Sequence, residues 1–220
     1  MNKLCPAVLL LLAALLISVW PSDAASEIRL GVTGGLARYS YSGDKPDKSA
    51  YKTQNRAAFG GVFELDVYKG VRLSIQPSII QKGTGVAYEV KGEKERVDSV
   101  SVNTDYFSIP VLVKVFTGSE RWFLSSGLEF AWLLDAQHVT SSAETDVKNN
   151  LENFDMAIHF GVGWVKPVGR HEFFIEGRYT QSMLNVVSDS DPESELYGLR
   201  VKNSGLLVYI GFLFQLQEIF

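Results

Sequence analysis

The stretch DYFSIPVLVKVF, residues 105–116, decides the fold. Its alternate residues Phe107, Ile109, Val111, Val113 and Val115 make one unbroken apolar face, while Tyr106, Ser108, Pro110, Leu112, Lys114 and Phe116 make a mixed one. Alternation at period two marks a β-strand whose two faces meet different environments. A proline in its middle counts against a central strand of a soluble sheet, because it deletes a ladder hydrogen bond. The reading turns on what the apolar face meets.

The same period recurs along the chain without a competing helical period and predicts eight strands, near 27–41, 56–68, 72–84, 105–117, 120–135, 153–166, 171–184 and 204–216. Three connections are short: Lys69-Gly70-Val71, Gly118-Ser119 and Pro167-Val168-Gly169-Arg170. The four that alternate with them are polar and run to about 14–20 residues. Short turns at one end and long loops at the other are the habit of transmembrane β-barrels. The turn chemistry predicts Val67 opposite Leu73, Val115 opposite Trp122 and Trp164 opposite Phe173, so that the apolar sets of successive strands share a face. At Pro110, close to Pro77 of the neighbouring strand, a local bulge or widened spacing is expected.

The opposite face carries Arg29, Glu64, Asp66, Arg72, Lys114, Glu129, Asp155, His159, Glu172, Glu176 and Arg178, with Gly31, Gly35, Gly60, Gly127, Gly161 and Gly163 among them. Eight long strands can close into a small barrel with one inside and one outside. The apolar set is then either inside, as in a soluble lipocalin-like ligand-binding barrel, or outside against lipid. Three features favour lipid. Trp122, Trp164 and Phe173 gather at the short-turn end of the apolar face, and Phe59, Phe107, Trp132, Phe154 and Tyr179 toward the long-loop end, as two interfacial girdles would. A strand from Trp122 to Leu134 rises about 43 Å, which tilted spans roughly 30 Å of bilayer. The small and charged opposite face suits a crowded lumen. Unpaired charges there are costly, so Glu64, Glu129, Glu176, Arg178, Lys114 and His159 are expected to form one network, with Arg178 bridging carboxylates.

The N-terminus fits the same compartment. Lys3, the uncharged apolar run from Ala7 to Val19 and the small-residue site ending at Ala24 have the pattern of a secretory signal, predicting a signal peptide over 1–24 and a barrel domain over 25–220. That apolar run is too short to span a bilayer. Beyond Cys5 there is no cysteine, so neither disulfides nor a thiol site is expected in the mature chain. The formal net charge of −4, without a basic tract, argues against nucleic acid as a partner.

Residues 105–116 resemble the Tyr-x-x-Ile-Pro-aliphatic-Leu-aliphatic-Lys segment of the PorT-like outer-membrane β-barrel proteins of Bacteroidetes-type bacteria. NFDMAIHFGVGW (153–164) is similar to that family's Phe-Asp segment followed by a Gly-x-Gly strand, and FFIEGRYTQSMLNV (173–186) to its aromatic-aliphatic-Glu-x-Arg-Tyr segment ending in Leu-x-Asn. With the early LGVTGGL the resemblance covers essentially the whole mature chain. It implies an all-β, eight-stranded antiparallel up-and-down transmembrane barrel in the outer membrane of a Gram-negative cell envelope. The founding member is linked to protein secretion to the cell surface, and most members have no assigned activity. The final Phe220 resembles the terminal aromatic of a barrel-assembly signal, although Glu218 of the same parity departs from it.

Two further constellations stand apart. His138 has Ser141, Ser142 and Glu144 nearby in sequence, the residue types of a lipid hydrolase, but no nucleophile motif relates them. SDSDPESE (188–195) concentrates carboxylates without the glycine of an EF-hand loop, and reads as a solvated acidic loop. The expected function is a non-enzymatic outer-membrane barrel, structural or accessory to secretion or surface processes, with a plugged polar lumen and long extracellular loops. Its expected partners are outer-membrane lipid, the barrel-assembly machinery through the last strand, and secretion or cell-surface proteins, with no cofactor or metal. An outer-membrane lipid-modifying enzyme and the soluble ligand-binding barrel are the alternatives.

Overall fold

The computed structural model describes residues 27–45, 49–88, 99–140, 144–188 and 198–216. The signal peptide (1–24), all of the acidic loop but Ser188, the terminal Phe220, and Ser141 and Ser142 beside His138 lie outside that set.

The long strands are β1 (Ile28–Gly43), β3 (Gln54–Tyr68), β6 (Ser99–Phe116), β7 (Trp122–Val139), β9 (Phe154–Val168), β10 (His171–Ser182) and β11 (Val201–Gln215). Between β3 and β6 lie β4 (Val71–Ile75) and β5 (Ser78–Tyr88), two halves of one stave. Two short strands, β2 (Ser49–Lys52) and β8 (Glu144–Asp146), pair with the far ends of β5 and β7. Every long stave pairs antiparallel with two neighbours, and β1 pairs with both β3 and β11, so the eight staves close into an up-and-down ring.

The faces fall as the alternation predicts. Leu36, Phe59, Val115, Leu124, Phe160, Leu206 and Ile210 are exposed on the outside, while Glu64, Lys114, Glu129, Glu176 and Arg178 are buried inside. That is the reverse of a soluble protein, and it excludes the arrangement in which the apolar set fills a lipocalin-like interior.

All three predicted hairpin registers are displaced by two residues. Leu65, not Val67, lies opposite Leu73; Val115 lies opposite Leu124 rather than Trp122; and Ile175 rather than Phe173 faces Trp164. A shift of two preserves the faces, so alternation alone is blind to it. The causes are local. Val67 is bulged out beside a Lys69-Gly70 turn with Gly70 at φ +74°. The β6–β7 turn uses Thr117–Arg121, where the Thr117 amide donates to the Trp122 carbonyl and Glu120 takes φ +54°.

The expected bulge at Pro110 is absent. Ile75 faces Val111 and Ser78 faces Ser108 in one unbroken register, and Pro110 faces Glu129 on its other side. Each proline lacks one donor, yet its carbonyl still accepts: Gln76 donates to Pro110 at 3.0 Å and Gly61 to Pro77 at 2.9 Å. Half of each bonded pair survives, so the stave is interrupted at Gln76-Pro77 without an inserted residue. The bulge in this wall lies higher, between Asp105 and Tyr106 against β7.

Glycines and aromatic rings interlock across the interior. A Cβ on Gly163 would lie 2.1 Å from the Phe123 ring, and one on Gly211 would lie 2.3 Å from the Phe174 ring. Both rings are fully buried and fill the space above the lower charges. Gly163→Ala is therefore expected to destabilise the folded protein by about 1–3 kcal/mol through overpacking. Adding Phe123→Leu should recover much of that loss, whereas equal urea midpoints for parent and single variant would discount the interlock.

Candidate functional site

The inward charges assemble in three tiers set by strand register. At the short-turn end, Arg29 pairs with Glu27 and with Asp66 at 2.9 Å, while Arg72 bonds Asp66 at 2.9 Å and Glu172 at 2.6 Å. In the middle tier Lys114 Nζ lies 2.6 Å from Glu64 and 3.7 Å from Glu176. Arg178 bonds both oxygens of Glu176, at 3.2 and 2.8 Å, and donates to Gln76 Oε1 at 3.0 Å. Ser74 and Ser125 donate to Glu64 and Glu176 at 3.1 and 2.6 Å.

The upper tier is built on Lys82, whose Nζ donates to Glu129 at 2.6 Å and Asp155 at 3.1 Å. His159 Nε2 lies 3.0 Å from the other Glu129 oxygen, and Ser182 donates to Asp155 at 2.7 Å. The three buried cations of the middle and upper tiers also meet aromatic faces. Lys114 sits 4.7 Å from both the Phe123 and Phe174 rings, Lys82 lies 4.9 Å from Tyr106, and Arg178 lies 4.8 Å from Tyr209. Buried ions are tolerated on these terms: opposite charge, hydrogen bonds to the remaining valences, and ring faces in place of water.

The expected network residues are thus all inside but divide into two clusters. Glu64, Lys114, Glu176 and Arg178 belong to the middle tier, and Glu129 and His159 to the upper one. Arg178 does not bridge carboxylates. Glu176 is the one carboxylate it bonds, and in the middle and upper tiers the bridging falls to two lysines whose single ammonium groups reach two acids each. Lys82 is the residue that the sequence reading missed. The signal was present, because the parity that sends Arg72 inward sends Lys82 inward five positions along the same face, and no residue is inserted between them.

Outside, Trp132 lies between Phe107 and Phe154, with ring centroids 6.2 and 5.6 Å away. At the other end Trp122 and Trp164 face each other across β7 and β9, while Phe173 faces Lys166 on one side and Phe212 on the other. His138 stands opposite Thr145 at the β7–β8 lip and makes no hydrogen bond to a carboxylate among the described residues.

A closed ring of eight antiparallel staves, apolar without and charged within, defines a small β-barrel of the membrane class. The sequence matches the model of the outer membrane protein beta-barrel domain family over residues 21–188, and the chain belongs to that family. Among solved structures it is similar to Ail, the attachment invasion locus protein of Yersinia pestis, with 14% identity over 86% of this chain and 99% of that one, at a TM-score of 0.43. It is also similar to OprG of Pseudomonas aeruginosa, with 13% identity over 88% of this chain and 97% of that one, at a TM-score of 0.46. Likeness at this level bears on neither protein's role here. No curated protein gives a significant match.

Proposed function

We propose that the chain is a non-enzymatic transmembrane barrel of the outer membrane whose lumen is plugged, so that it holds long surface loops in place and does not conduct. The observation that carries this reading is the burial of Lys82, Lys114 and Arg178, each with its carboxylates, across the middle of the ring. Charges that line an open channel stay hydrated, whereas these have exchanged water for one another and for aromatic faces. The apolar exterior with its two aromatic zones supports a bilayer as the surrounding medium. The PorT-like segments support an accessory role in secretion or at the cell surface, with secretion or surface proteins as partners of the loops. Recognition by the barrel-assembly machinery through the last strand belongs to the same reading.

The reading is tested by reconstituting the purified barrel in a planar bilayer. The expected record has no stable conductance steps at molar salt under conditions where a porin control opens. Long-lived, ion-selective openings by the unaltered chain would overturn the plugged lumen.

A further inference from the structure

The outer face of β10 carries a glycine that the fold does not require. Gly177 stands between Ile175 and Tyr179 on that face, opposite Val162 on β9 and Val208 on β11. Its φ is not positive, and a Cβ there would meet only the Val162 carbonyl, at 4.0 Å. The inward Gly163 and Gly211 are held to glycine by aromatic rings, whereas nothing in the protein fills the place of a side chain at Gly177. A glycine inside a strand weakens it and often marks the close approach of a ligand.

Gly177 is part of a shallow hollow of about 300 Å3, walled by Trp122, Val162, Trp164 and Ile175. One row nearer the short turns, Trp122, Trp164 and Ile175 are direct partners in line. In the other girdle Trp132 packs against Phe107 and Phe154, but Trp122 and Trp164 make no ring contact among the described residues. In the next row Lys166 stands opposite Phe173. The Val165 amide donates to the Arg121 carbonyl at 2.7 Å, which sets Arg121 beside Lys166, and Arg170 lies in the adjoining turn. All three cations are exposed, and their side chains make no ion pair or hydrogen bond among the described residues. Glu120 is the one exposed carboxylate of these two turns, since Glu172 is turned inward to Arg72.

We propose that this face seats one anionic glycerophospholipid at the short-turn interface, with its phosphate on Lys166 and Arg121, its glycerol esters beside Trp122 and Trp164, and one acyl chain in the hollow over Gly177. Basic side chains at a membrane surface attract anionic headgroups, and indoles favour the interfacial depth. An acyl chain supplies the packing that the missing side chain leaves out. The order along the wall is that of the lipid itself, charged, then amphipathic, then apolar, over two same-face rows or about 13 Å. The lysine stem can lie along the wall and carry its ammonium to the headgroup. The proposal rests on the bilayer reading of the exterior and stands whether or not the lumen conducts.

Brominated phospholipids test this, because bromine on an acyl chain quenches a nearby indole. In Trp132→Phe of the barrel spanning residues 25–220, only Trp122 and Trp164 report. In phosphatidylcholine vesicles, a small fraction of brominated phosphatidylglycerol is expected to bind beside them about fivefold better than the same fraction of brominated phosphatidylcholine, the effect of one well-placed cation. Lys166→Gln/Arg121→Gln removes the preference, and Gly177→Val weakens it by filling the hollow. Lys69→Gln, at the same end but in the β3–β4 turn, leaves it unchanged, and inorganic phosphate at matched ionic strength does not displace the lipid. Heat-modifiable migration on gels establishes that each variant is folded. Equal quenching by the two lipids would overturn the site alone, whereas no quenching by either would overturn the bilayer reading with it. A parent-like preference in folded Gly177→Val or in the folded double variant would overturn the site, as would an equal loss in Lys69→Gln, the mark of diffuse charge. Displacement by inorganic phosphate would overturn the lipid and point to a phosphate site.

Discussion

Lys82→Met is expected to lower the unfolding free energy of the barrel by about 3–5 kcal/mol, because removing one partner of a buried ion pair leaves uncompensated charge. Here it leaves two. Glu129 would retain His159 at 3.0 Å, and Asp155 only neutral donors, Ser182 at 2.7 Å and Asn203 at 3.3 Å. The ammonium also lies against the Tyr106 ring, so methionine replaces its packing better than its charge. Urea unfolding of the detergent-refolded protein, followed by tryptophan fluorescence, measures the effect. Lys82→Met/Glu129→Gln should recover part of the loss, since one of the stranded charges is then gone. A single variant with the parent's midpoint would mean that the upper tier contributes nothing to stability.

Arg178→Leu should cost less, about 3 kcal/mol, although Arg178 is the larger buried cation. Its carboxylate is not abandoned: Glu176 keeps Lys114 at 3.7 Å and the Ser125 hydroxyl at 2.6 Å. Gln76 does lose a partner, as its Oε1 accepts from Arg178 at 3.0 Å. The temperature at which the compact form is lost on a heat-modifiability gel reads this directly, and an unchanged temperature would refute the middle tier as a stabilising unit. With Lys114→Met added, the loss should exceed the sum of the two single changes, because each cation is the other's reserve for Glu176.

The number of strands, their faces and the ring itself were legible because period-two alternation is a global property that fifteen-residue strands repeat many times. Registers were not, because a two-residue slide leaves every side chain on its proper face. Only turn geometry distinguishes the slides, and Glu120 at φ +54° is not a residue from which a left-handed position is expected. Proline was misjudged for a related reason. Counting a missing donor overlooks that its carbonyl still accepts, as Gln76 and Gly61 show. Within the lumen, composition identified the charged residues, whereas pairing depends on depth and reach. Arg178 has the fork to bridge two acids, but Glu176 two residues away is the one it bonds, and the longer spans fall to Lys82 and Lys114.

The seam of the ring joins β1 to β11, with Arg29 opposite Gln215 and Gly43 opposite Val201. Partners at such sequence separation give the fold a high contact order, and chains of that kind reach the native state slowly. Until residues 201–215 have emerged and found 29–43, the growing sheet has two unsatisfied edges and an apolar flank. Those edges invite pairing with any other strand nearby. For this chain the hazardous interval is therefore the time before closure, and a helper that shields or templates the first strand until the last arrives would shorten it.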